Sequence, residues 1–183
     1  MTATYSTNIA VVVCGAPLAT RTPDLLSELV AEGWTPSVVA TPSALAFLDP
    51  AAIVAVTGSP PRSEYRHPSQ PKSPDPAAVV VCPATFNTVN KAAAGAADTY
   101  ALGVLCEALG AGIPTVVVPM VNNKLWGHPA WQPSLTVLRQ AGAILVDIQD
   151  GSTELAATAS GTGGSVVDAF DPTWVTAHLR PAR

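Results

Sequence analysis

The residues best able to do chemistry sit where apolar runs end. The run over 79–82 (VVVC) stops at Pro83 and opens into Ala84, Thr85, Phe86, Asn87 and Thr88, after which a helix of small residues is expected from about Val89. A second run, 115–119 (TVVVP), stops at Met120, Val121 and Asn122. Thr41 and Ser43 follow a third run, and Gly15 and Ala16 a fourth. Hydroxyls and amides at strand tips suit a phosphate held by N–H groups and side-chain oxygens. The apolar remainder, Pro83-Ala84 and Met120-Val121, suits a flat heterocycle. The residues alone thus point to a ligand pocket for a mononucleotide. His67 lies ahead of the central turn, inside a stretch (49–78) with seven prolines. An imidazole is the side chain that exchanges a proton most readily near neutral pH.

Other chemistries find no support. G-x-G-x-x-G is absent after the first apolar run, so a dinucleotide in the ordinary Rossmann mode is not expected. There is no G-x-x-x-x-G-K-[ST] loop, no G-x-S-x-G elbow and no metal-like spacing of His, Cys and carboxylates. Cys14, Cys82 and Cys106 read as small buried hydrophobes rather than as disulfide or metal partners.

The elements that must position these tips follow from the apolar pattern. Strands are expected over 9–14, 34–40, 78–82, 115–119 and 143–148, the continuous runs of a buried parallel sheet. Helices are expected from Pro23 to Glu32, over 44–48, from about Val89, from Asp98 or Thr99 to Ala108, over 133–140 and over 166–180. Residues 52–57 fit either a short helix or a short strand. The alternation requires right-handed crossovers and one three-layer α/β/α domain, Rossmann- or flavodoxin-like, spanning 1–183. Ligands of such folds bind outside the carboxyl ends of the strands. Residues 149–165 are rich in Gly, Ser and Thr and read as a mobile substrate flap.

Composition narrows the partners. Apolar residues make up 48% and charged ones 12%, which leaves little to solvate a lone subunit and points to a homo-oligomer. Nine Lys and Arg against a net charge of −4 argue against nucleic acid. No apolar run approaches the ~20 residues of a membrane span. No positive charge precedes the first apolar run, so no secretory signal is expected and the setting is taken as cytoplasmic.

The motifs also carry a resemblance. Pro83-Ala84-Thr85-Phe86-Asn87-Thr88, with Asn90-Lys91 and Gly95-Ala96-Ala97-Asp98 behind it, resembles the P-A-S-A-N-T region of the homo-oligomeric flavin-containing cysteine decarboxylases. Pro119-Met120-Val121-Asn122-Asn123-Lys124-Leu125-Trp126 resembles that family's P-x-M-N-x-x-M-W, and His67 stands where the family keeps its catalytic histidine. The match covers roughly 9–147. Thr85 replaces Ser, Phe86 replaces Ala, and Val121 and Leu125 replace the two methionines.

The resemblance implies a bound flavin, FMN rather than FAD, because no second Gly-rich nucleotide loop is present. Its contacts are expected at Gly15, Ala16, Thr41, Ser43, Phe47, Ala84, Thr85, Phe86, Asn87 and Met120. Pro83 and Asn122 are expected at the substrate, His67 and Asn122 as catalytic, and no metal. It also implies trimers, often four assembled into a dodecamer, with flavin sites near subunit contacts. Phosphopantothenoylcysteine decarboxylases of the family use a flap cysteine to protonate an enethiol, and this chain has no cysteine after Cys106. That favours the peptide-tailoring branch: oxidative decarboxylation of a peptide's C-terminal cysteine to an aminoenethiol. A phosphopantothenoylcysteine decarboxylase of coenzyme A biosynthesis and a non-catalytic flavin-binding regulatory subunit are the alternatives.

Overall fold

A computed structural model describes residues 6–69 and 74–179. Its centre is a sheet of five parallel strands in the order β2-β1-β3-β4-β5. In chain order the elements are β1 (Asn8–Val13), α1 (Thr22–Ala31), β2 (Thr35–Ala40), α2 (Pro50–Thr57), β3 (Ala78–Ala84), α3 (Phe86–Ala93) and α4 (Tyr100–Ala111). Then come β4 (Thr115–Pro119), α5 (Asn123–Trp126), α6 (Trp131–Gln140), β5 (Ile144–Leu145), α7 (Gly163–Ala169) and α8 (Thr173–Thr176). Single 3-10 turns, Pro17–Arg21 and Pro42–Ala46, follow β1 and β2. The expected three-layer α/β/α architecture is the observed one.

Period-two alternation builds the two layers of core. Ile9, Val11 and Val13 of β1 face one side, with Leu25, Leu26 and Leu29 of α1, Ile53 of α2 and Val175 of α8. Ala10, Val12 and Cys14 face the other, with Val89 of α3, Leu102 and Leu105 of α4, and Trp131, Leu135 and Leu138 of α6. Helix ends are fixed by short polar side chains. Asp49 accepts from the N–H groups of Ala51 (3.0 Å) and Ala52 (3.2 Å), which settles residues 50–57 as helix rather than strand.

Several element bounds differ from the sequence reading. α3 begins at Phe86, three residues early, because Thr85 is its cap. β5 keeps only two residues: the Asp147 N–H donates to the Ser152 carbonyl and turns the chain out of the sheet. The single terminal helix is two short ones, broken at Asp171-Pro172, where proline cannot continue the ladder.

Trp131 is the largest fully buried side chain, and it joins α6 to Phe86 of α3 through stacked rings 5.6 Å apart. Trp131→Ala is expected to cost about 3–5 kcal/mol, read as a lower denaturant midpoint.

Candidate active site

The carboxyl ends of β1, β3 and β4 lie side by side at one edge of the sheet, with hydroxyls and an amide in the turns that follow them. β1 sits between β2 and β3, so the crossovers leaving β1 and β3 run to opposite faces and open the edge at that point. The turns after β1 and β2 meet there. A Cβ on Gly15 would stand 2.7 Å from Ser43 Oγ and 2.9 Å from the Ser43 carbonyl carbon, so only glycine allows this approach. Thr41 is buried and its hydroxyl lies 3.2 Å from that of the exposed Ser43. The Thr41 N–H donates to Val13 O, which sets the second turn against the first strand (2.9 Å).

At β3, the Cys82–Pro83 peptide is cis, and the Pro83 carbonyl accepts from the Cys14 N–H (3.1 Å). Thr85 Oγ1 accepts from the Thr88 N–H (3.4 Å) and lies 3.1 Å from Thr88 Oγ1. The buried Cys14 thiol donates to Thr88 Oγ1 (3.3 Å). Burial pushes the Cys14 thiol up from its ordinary value, against hydrogen bonds from Thr88 and Thr85, and burial pushes Cys82 up as well. Both are therefore neutral packing groups, as the sequence implied, while Cys106 is half-buried.

At β4, Asn122 caps α5. Its Oδ1 accepts from the N–H groups of Lys124 and Leu125, both at 3.0 Å. That double engagement fixes the orientation of the amide and turns Nδ2, a donor only, to the outside. Met120 is half-buried, and its N–H donates to the Ala84 carbonyl (2.9 Å), so the β3 and β4 tips are tied side by side. A Cβ on Gly163 would stand 3.7 Å from Met120 Cε and 3.8 Å from Pro17 Cγ, which places the start of α7 beside the turns after β4 and β1.

The structure therefore gathers Gly15, Ala16, Thr41, Ser43, Pro83, Ala84, Thr85, Met120 and Asn122 at one edge. Ala84 offers no side-chain surface, being fully buried. Phe47 ends the turn after Thr41, 37% exposed. Asn87 is exposed in the first turn of α3. Phe86 departs furthest from its expected surroundings. Its ring stacks on Trp131 and meets His128 edge-on at 5.5 Å.

His67 is exposed in the loop between α2 and β3, with its Nδ1 2.7 Å from Ser69 Oγ. Its loop bridges the outer side of β2 through Arg62 and Val39. Tyr65 packs on Tyr100 of α4 with ring centres 5.1 Å apart. Asn122 leaves β4 on the α6 side, and α3 packs against both α4 and α6. From the Arg62 bridge to β4 is four strand spacings, roughly 19 Å.

The sequence reading missed Asp147 and Thr158. Asp147 is 3% exposed and ties down residues 147–156: Oδ1 accepts from the Gln149 N–H (2.7 Å) and Oδ2 from that of Ala156 (2.6 Å). An aspartate inside the apolar run 143–148 was the available signal. Thr158 pairs with Asn122, and nothing in its Ser/Thr/Gly-rich surroundings marks it.

A parallel sheet of this order with a polar crevice at its switch point defines a flavodoxin-like ligand-binding domain. A family model described as flavoprotein matches residues 2–168, and the chain belongs to that family. The coenzyme A biosynthesis bifunctional protein CoaBC of Mycolicibacterium smegmatis is 30% identical over 150 residues, covering 78% of this chain and 35% of the relative. The chain thus spans about a third of the length of the curated relatives it matches. The crystal structure of SpaF, described as an FMN-dependent cysteine decarboxylase, superposes with a TM-score of 0.64 at 26% identity, over 94% of this chain and 97% of that one. A PPC decarboxylase superposes with a TM-score of 0.69 over 93% and 94%, at an identity (17%) that speaks for the fold alone. Among the described residues no cluster of His, Cys, Asp and Glu could hold a metal, and no helix is long and apolar enough to cross a membrane.

Proposed function

We propose that the chain is an FMN-dependent decarboxylase that oxidatively removes CO2 from the C-terminal cysteine of a peptide, leaving an aminoenethiol. The observation that carries this reading is the fixed orientation of Asn122, which presents a neutral donor beside a glycine-lined cofactor crevice. The residues at the crevice fit a flavin mononucleotide. Gly15 lets the turn after β2 close onto the turn after β1, Thr41, Ser43 and Thr85 offer hydroxyls, and Met120 offers an apolar wall.

When bound, the flavin supplies the two-electron oxidation that turns the substrate CH2–S unit into an electron sink beta to the carboxylate. Asn122 Nδ2 donates to that carboxylate. A neutral donor holds it in place without the ground-state stabilisation that a full cation would add, which would oppose loss of CO2. His67 takes the thiol proton. The His67 loop pairs with the outer side of β2 through Arg62, whereas Asn122 follows β4, and we take the pair to be completed by a second copy of the chain. A homotrimer, or a dodecamer of four trimers, would do this, and the low charge content agrees with it. The free thiols suit the cytoplasm, and neither nucleic acid nor membrane is involved.

A second reading has its own support. The CoaBC relatives favour a phosphopantothenoylcysteine decarboxylase. The lack of any cysteine after Cys106 weighs against it, since a flap thiol would be needed to protonate the enethiol.

Two measurements test the proposal. The purified protein is expected to absorb near ~375 and ~450 nm, as an oxidised flavin does. A peptide ending in Cys is expected to lose CO2 and two hydrogens, seen by mass spectrometry. A colourless protein that takes up no FMN would sink the cofactor. Loss of CO2 alone, giving a saturated thiol, would select the second reading.

A further inference from the structure

We propose that Thr158 is the second contact for the substrate carboxylate, a specificity-determining hydroxyl that works beside Asn122. This deepens the decarboxylase reading and rests on it for the identity of the substrate.

Thr158 stands in a one-residue parallel bridge with Asn122. Its N–H donates to Val121 O (3.0 Å), and its carbonyl accepts from the Asn123 N–H (3.0 Å). The two Cα atoms are ladder neighbours, separated by about 4.8 Å. The segment is pinned on both sides. Asp147 holds Ala156, two residues before, and Ser160 Oγ donates to Asn123 Oδ1 (2.8 Å), two residues after.

Within this fixed backbone the Thr158 side chain is 5% exposed, and its hydroxyl oxygen has no hydrogen-bond partner. Threonine in a loop ordinarily finds a nearby carbonyl, as Thr162 and Thr20 do here. A buried hydroxyl without a partner destabilises a fold, so its presence beside a fixed amide donor calls for a cause. A carboxylate supplies one. One oxygen accepts from Asn122 Nδ2 and the other from Thr158 Oγ1, two neutral donors of the kind decarboxylation tolerates. Reaching that hydroxyl requires the Ser160–Asn123 side-chain contact to open while the main-chain bonds of Thr158 hold, and to re-form over the substrate, which also excludes water.

The signature is a pair of effects with opposite signs. Thr158→Val keeps the shape and removes the hydroxyl. The free holoenzyme is expected to gain thermal stability, because an unsatisfied polar atom is gone. KM for a peptide ending in Cys is expected to rise about 10- to 100-fold, the worth of a hydrogen bond to a charged group, with kcat changed less. Thr158→Ser is expected to keep KM near the wild-type value. A peptide ending in Ser keeps the carboxylate and offers no thiol to oxidise. It is expected to raise the Tm of the wild-type protein and not of Thr158→Val, and its C-terminal amide to raise neither. Turnover with an unchanged KM in Thr158→Val would overturn the inference and leave the proposed function standing. Thr158-dependent binding of the Ser peptide without turnover of the Cys peptide would do the reverse. Equal loss of stability and of binding would reduce Thr158 to a structural residue and also overturn it.

Discussion

His67→Asn is expected to lower kcat/KM for a Cys-terminated peptide by about 10²–10⁴-fold, the range of a lost general base, and to leave the flavin absorbance in place. The local structure supports both halves of this result. His67 is exposed in the loop between α2 and β3, away from the glycine crevice, so its loss should not release a cofactor. Its Nδ1 lies 2.7 Å from Ser69 Oγ, and the Ser69 N–H approaches the same nitrogen at 3.3 Å. The Ser69 N–H can only donate, so Nδ1 is the acceptor of that contact and the neutral ring carries its proton on Nε2. The nitrogen that would take a thiol proton is then Nδ1, once the substrate displaces the Ser69 contacts. Asparagine reproduces the polar contact and has no such base.

The proposed sharing of the site between subunits adds a sharper expectation. His67→Asn and Asn122→Ala subunits, each impaired alone, should regain part of the activity when co-assembled, because one contact then joins the two intact residues. Recovery of none would confine the site to a single chain. Full turnover by His67→Asn would remove His67 from the mechanism.

The extent to which the molecule was legible follows from range. Continuous apolar runs reveal a buried parallel strand locally, and four of the five expected strands are present nearly as read. The tips of those strands were legible for the same reason, since a polar residue after such a run has only the sheet edge to occupy. What depended on helix-to-helix packing was not legible. Phe86 was expected at the flavin, and its packing partners were not foreseen. Its direction is set by Trp131 and His128, more than forty residues away in sequence, and no local pattern encodes that α3 packs on α6. Thr158 was hidden because one threonine in a Ser/Thr/Gly segment resembles the others. Only the pairing with Asn122 distinguishes it. His67 was placed in an irregular loop, and only the strand order reveals that this loop pairs with the outer side of β2, with β1 and β3 lying between β2 and β4.

Gly15→Ala should be the most damaging change to cofactor binding that leaves charge and hydrogen-bonding groups untouched. Gly15 has no left-handed backbone angle, so the issue is space alone. An added Cβ would meet three atoms of Ser43 at 2.7–2.9 Å, one of them the backbone carbonyl carbon. The turn after β2 must then retreat from the turn after β1, which separates Thr41 and Ser43 from the rest of the crevice. Affinity for FMN is expected to fall more than about tenfold (1.4 kcal/mol), read as the ratio of flavin to protein absorbance after gel filtration. Overpacking should also cost about 1–3 kcal/mol of stability. Two further variants separate crowding from a general loss of glycine. Gly163→Ala adds a Cβ at ordinary contact distance, 3.7 Å from Met120, and should retain flavin. Adding Ser43→Gly to Gly15→Ala removes the two side-chain clashes but not the one with the carbonyl carbon, so flavin binding should return only in part. Wild-type affinity in Gly15→Ala would mean that the turns separate without cost, or that the flavin lies elsewhere on the sheet edge.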